Sequence, residues 1–64
     1  MNSIQVFRTH NGKETGEVFL AKSLTTAFKK AKIRDWQDYR ITQIVHGKNM
    51  ILFDTLNRHN EGYN

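Results

Sequence analysis

Between Ala21 and Trp36, the apolar residues Leu24, Ala27, Phe28 and Ala31 fall at i, i+3, i+4 and i+7, the repeat of one helical face. This spacing predicts an α-helix with those four side chains inward and with Lys29, Lys30, Lys32 and Arg34 on its outer side. Ser23 stands where a hydroxyl can cap the first turn. Thr26 occupies the third helical position, where a Glu would complete a capping box. No acid precedes the lysines in the first turn, and the cations crowd the far end, where they complement the helix dipole. Ile33 would lie on the polar side of a longer helix. The helix is therefore expected to end or bend between Lys32 and Asp35, with Trp36 folding back over the edge of the core.

Elsewhere the period is two. Ser3 to Thr9 alternates around Ile4 and Val6, with Phe7 on the other side, and reads as a strand. Asn11-Gly12 follows, the dipeptide that best tolerates two positive φ angles in a tight hairpin; Gly16 offers a second bend should the loop be longer. Glu17 to Ala21 is the return strand, with Val18 and Leu20 on one face. Tyr39 to His46 is rich in strand formers. There Tyr39, Ile41 and Val45 share a face while Ile44 points away, so either the outer face is partly covered or a bulge resets the register. Gly47-Lys48-Asn49 reads as a turn and Met50 to Leu56 as the last strand. That strand is apolar on both sides, Met50 and Leu52 on one, Ile51 and Phe53 on the other. An edge of this kind calls for cover by a partner or a second copy. A homodimer joined along it would place Ile51 and Phe53 at the contact.

The resulting order, β-β-α-β-β, predicts one α+β domain over residues 1–56: a four-stranded, antiparallel-rich sheet with the helix packed on one face. A right-handed crossover from the second strand to the third is simplest in the spatial order 2-1-3-4. Residues 57–64 are polar apart from Tyr63 and read as a tail or a short fifth strand.

Composition narrows the function. A 64-residue chain without cysteine has no disulfide staple, no thiolate nucleophile and no sulfur-based zinc site. So small a domain buries only about 60% of its unfolded surface, which favours oligomerisation or stabilisation by a partner. No apolar run nears the ~18–20 residues of a membrane span, and the N-terminus lacks a signal-peptide pattern, so a soluble cytoplasmic protein is expected. His10, His46 and His59 fall in or beside turns with no helical pairing, which argues against a metal site. Asp35 and Asp38 flank Trp36 and fit the ending of a helix better than acid–base work. Ser3 and Ser23 are a terminal residue and a cap, and no glycine-rich phosphate loop is present. Neither enzymatic activity nor a cofactor is expected.

Charge provides the one constellation above background. The net charge is +4, and Lys22 to Lys48 holds seven Lys or Arg against Asp35 and Asp38, hence all of the excess. Lys29, Lys30, Lys32 and Arg34 are the expected binding residues, with Arg40 and Lys48 as rim contacts and Trp36 at the border, placed to stack on a base or to anchor a protein contact. Point charges of this kind hold phosphates without reading sequence, so any nucleic-acid binding would be non-specific and steeply salt-dependent.

The run AKSLTTAFKKA after a short strand, followed by a YRITQI strand and a glycine turn into an apolar strand, resembles small phage-encoded inhibitor proteins. The layout is most similar to an anti-CRISPR family that acts on the type I-F surveillance complex. Ala21, Ser23, Leu24 and Ala27 match the opening of that family's helix. Of the basic pair that follows there, Phe28 occupies the first place and Lys29 the second. A phage inhibitor of host RNA polymerase resembles the chain in element order, but carries arginines where Gln43 and Val45 stand and an acidic helix face where this one is basic. The resemblance implies a non-enzymatic phage or mobile-element inhibitor that binds a host protein or nucleoprotein complex through the basic helix. A small nucleic-acid-binding protein and an RNA polymerase inhibitor are the alternatives.

Overall fold

In the computed structural model, which describes residues 3–56, the strands β1 (Ile4–His10), β2 (Lys13–Ala21), β3 (Tyr39–Val45) and β4 (Lys48–Asp54) form one antiparallel sheet in the order β2-β1-β3-β4. The helix α1 (Leu24–Ile33) connects β2 to β3 and packs over β1 and β2. Class, element order and strand order are those the sequence predicts. The expected tail or fifth strand at 57–64 lies outside the described residues.

Both hairpins close through two-residue turns with positive φ at each position, Asn11-Gly12 (54°, 82°) and His46-Gly47 (52°, 77°). Such turns match the right-handed twist of the strands they join. The second turn is one residue earlier than the expected Gly47-Lys48-Asn49, because His46 accepts the left-handed conformation and frees Lys48 to pair with Val45. Gly16 (φ 99°) is not part of the first turn. It lies within β2, where the pairing with β1 slips between Phe7 and Thr9.

A second slip decides the last strand. Ile41 pairs with Phe53, but Thr42 pairs with Ile51, so Leu52 is an extra residue in β4. Ile51 and Phe53 therefore lie on opposite sides of the sheet instead of sharing one. Phe53 turns toward the helix, where its ring meets Phe28 (centroids 5.0 Å apart) and Tyr39 (5.8 Å). The expected dimer contact through both residues thus loses Phe53 to the domain's own packing.

The core sits between helix and sheet. Ile4 and Val6 of β1, Phe19 and Ala21 of β2 and Ile41 of β3 meet Ala27 and Ala31. Two alanines on the buried helical stripe let the backbone approach the strands closely. Leu24, expected inside, is 40% exposed at the first turn, and Phe28 is only partly buried.

Both helix ends are fixed locally. Ser23 Oγ accepts from Thr26 N–H (3.2 Å) and donates to Thr26 Oγ1 (3.0 Å). At the other end Asp35 adopts φ 61°, its N–H donates to the Lys32 carbonyl (3.0 Å), and Trp36 N–H donates to the Ala31 carbonyl (3.1 Å). This is the Schellman arrangement, with an aspartate where glycine is usual. It turns Trp36 back onto Phe19 (centroids 5.1 Å), as the sequence predicts.

Candidate functional site

The cations of α1 divide between two flanks, since residues three and four apart are neighbours on a helix. Lys30 and Arg34 share the flank over β2. Lys30 Nζ donates to the Leu20 carbonyl (3.3 Å), and the Arg34 guanidinium lies 4.5 Å above the Phe19 ring centre. Both side chains are thus engaged in holding the helix to the edge strand. Lys29 and Lys32 share the opposite flank. None of the four is in an ion pair among the described residues. Between the flanks, Ile33 stands 81% exposed.

Beside the Lys29–Lys32 flank the helix does not cover the sheet completely. An open hollow of about 440 Å³ remains, walled by Phe28, Trp36, Tyr39 and Phe53, with Lys32 and Asp35 at its lip. Its aromatic rings brace one another: Phe28 meets Tyr39 edge-on at 6.3 Å as well as Phe53. Tyr39 N–H donates to Thr55 Oγ1 (3.1 Å), and that hydroxyl donates to Asp38 Oδ1 (3.0 Å), which ties β3 to the end of β4. The walls are thereby fixed, and a ligand would meet preformed apolar surface beside a cation. Of the expected site residues, the structure brings Lys32 and Trp36 to this hollow, with Lys29 one turn away on the same flank.

Arg40 does not belong to it. Its neighbour Ile41 points into the core, so Arg40 projects from the other face of the sheet. There its Nε donates to Asp54 Oδ2 (2.8 Å), its Nη1 to Glu14 Oε2 (3.3 Å) and its Nη2 to the Gly12 carbonyl (2.8 Å). The hydrogen bond to Asp54 raises the guanidinium pKa above its ordinary value, reinforced by the charges of Asp54 and Glu14 and opposed by burial. Three of its five N–H groups are engaged there, so Arg40 does not adjoin the helix cations as a rim contact. Lys48 is misplaced as well. It follows the β3–β4 turn, at the end of the sheet where the helix begins and across β3 and β1 from β2. Lys32 and Arg34 stand at the other end of the helix.

Asp35 ends the helix, and Asp38 accepts from Thr55 while its carbonyl accepts from Thr9 N–H (3.1 Å). Both line a second, polar hollow with Arg8, His10 and Gln37. Among the described residues no three His, Cys, Asp or Glu side chains come together as a metal site would need, and no helix is long and apolar enough to cross a membrane. His59 lies outside the described residues.

Comparison of the chain with protein-family models, with curated proteins and with solved structures finds no match. The resemblance to phage inhibitors therefore rests on the quoted helix and strand residues alone. What sequence reasoning missed at the site is its aromatic wall. Phe28 reads as core by helical spacing and Phe53 as edge by strand alternation. Only the bulge at Leu52 puts the two rings side by side.

Proposed function

We propose that this protein is a non-enzymatic inhibitor that binds an acidic surface of a host protein or nucleoprotein complex through the Lys29–Lys32 flank of α1 and the aromatic hollow beside it. The observation that carries this reading is the coincidence of two lysines without ion pairs and four partly exposed aromatic rings on one side of the helix. Aromatic anchors next to a cation are the usual make-up of a protein hot spot. The exposed Ile33 on the crest favours a protein partner over bare phosphate, because an apolar side chain gains nothing from a phosphate backbone. Shallow, open hollows suit a macromolecular surface better than a small substrate that must be shielded from water. The resemblance to the type I-F anti-CRISPR family makes that surveillance complex the first partner to try.

The test is a pull-down from bacterial lysate with and without nuclease, using the native chain and the Lys29→Glu/Lys32→Glu variant. The native protein should retain a stoichiometric protein complex after nuclease, and the variant should lose it with its circular dichroism unchanged. Recovery of nucleic acid alone, released by salt, would move the assignment to a direct nucleic-acid binder. Full retention by the variant would remove the flank from the site.

A further inference from the structure

The sheet has a second face, and nothing among the described residues packs over most of it. Cross-strand partners share a face, so the register places Phe7, Val18, Leu20, Ile44 and Ile51 on the side away from α1. Leu20 and Ile51 are 56% and 55% exposed, Val18 and Ile44 about half. Gln5 and Thr42, paired with each other, occupy the middle between the two apolar edges. Nine large apolar side chains are exposed in the described residues, whereas only seven apolar residues are buried and three of those are alanines. A domain that leaves more large apolar side chains outside than inside has a missing layer.

We infer that this open face is the interface of a homodimer, in which two sheets stack face to face with their helices outward. Charge selects a second copy as the occupant. Lys29, Lys30, Lys32 and Arg34 all project from the helix side, while the open face holds Arg40 bonded to Asp54 and Glu14, a net charge of −1 confined to one corner. Two copies can therefore approach through the apolar part of these faces and keep their cationic helices on the outside of the stack. Area agrees. Four half-exposed apolar side chains and the partly buried Phe7 amount to roughly 400 Å² on each copy, so two copies bury roughly 800 Å² of apolar surface. With Gln5 between them and Glu14 and Asn49 at the rim, the total approaches the roughly 1,200 Å² lower bound of specific interfaces. Such a dimer presents two copies of the proposed binding flank on opposite sides, but does not depend on what that flank binds.

Sedimentation equilibrium of the full chain tests the inference. The expected species at concentrations up to about 1 mM has twice the 7.5 kDa chain mass. Leu20→Glu/Ile51→Glu, at positions already exposed in one copy, should weaken association by about 100-fold while circular dichroism stays native at low concentration. Because the chain has no cysteine, Gln5→Cys gives a single thiol near the expected two-fold axis, and a short bismaleimide should join two copies there. Ile33→Cys on the helix crest should not cross-link. A monomer throughout the concentration range would overturn the inference and leave the face to residues 57–64 or to a different protein. A dimer that persists in the folded Leu20→Glu/Ile51→Glu variant, or that cross-links through Ile33→Cys and not Gln5→Cys, would overturn it as well.

Discussion

The two faces of the sheet are built from the same four strands but solve different packing problems. On the helix side the contact is made by small residues, Ala21, Ala27 and Ala31, among Ile4, Val6, Phe19 and Ile41. Close backbone approach there compensates for the limited volume of the side chains. On the open side the strands carry larger branched residues that touch little, and the one dense region is a polar corner: Asp54, 1% exposed, held by Arg40, 19% exposed. Beneath α1 the helix face is closely packed and intolerant of added volume. The other is rich in exposed apolar surface, yet its local order comes from the cluster of Arg40 with Asp54 and Glu14.

The largest effect that would test this contrast comes from the polar corner. Arg40→Ala removes the guanidinium bonded to the buried Asp54 carboxylate and should cost about 3 kcal/mol in urea unfolding. Arg40→Met/Asp54→Leu should recover most of that loss, since no lone charge remains; a double variant as unstable as the single one would show the pair to be more than charge compensation. The pH dependence has a definite sign. Arg40's pKa is raised in the folded state, so its contribution is fully present below the ordinary arginine range and is lost only as pH rises through the raised value. From about pH 7 to about pH 10 the effect of Arg40→Ala should therefore not change through guanidinium titration.

Next in size is overpacking of the closed face. Ala31→Leu adds three carbons where the helix touches the strands and should destabilise by about 2 kcal/mol, read as a lower urea midpoint with an unchanged slope. A neutral outcome would mean that the helix rides higher over the sheet than the burial of Ala27 and Ala31 indicates. The smallest effect is a gain. Asp35 holds a left-handed conformation that glycine adopts without strain, so Asp35→Gly should stabilise by about 0.5 kcal/mol through the helix end alone. A loss instead would show that the Asp35 carboxylate contributes at the lip of the hollow.

Much of this architecture is legible in short-range chemistry. The spacing of Ala27, Phe28 and Ala31, the hydroxyl of Ser23 and the reversal at Trp36 define α1 because helix formation and capping depend on neighbours within a turn. Asn11-Gly12 specifies its hairpin for the same reason. His46-Gly47 was harder to read, since histidine only tolerates the conformation that asparagine favours. That one-residue difference changes every partner of β4. Arg40 shows the consequence. Its position beside the lysines in sequence places it with them by charge, whereas pairing with Asp54 places it on the opposite side of the sheet.

The sequence by itself thus determined the elements and their order, which follow from periodicity and turn chemistry, and made 2-1-3-4 the simplest strand arrangement through the restrictions on chain crossover. Tertiary structure alone decided which cations are bonded, which aromatic rings meet and which face stays open. The physical reason is parity. One extra residue, Leu52, reverses the side on which the remainder of β4 presents its side chains, and no local preference in that apolar run marks where the reversal falls.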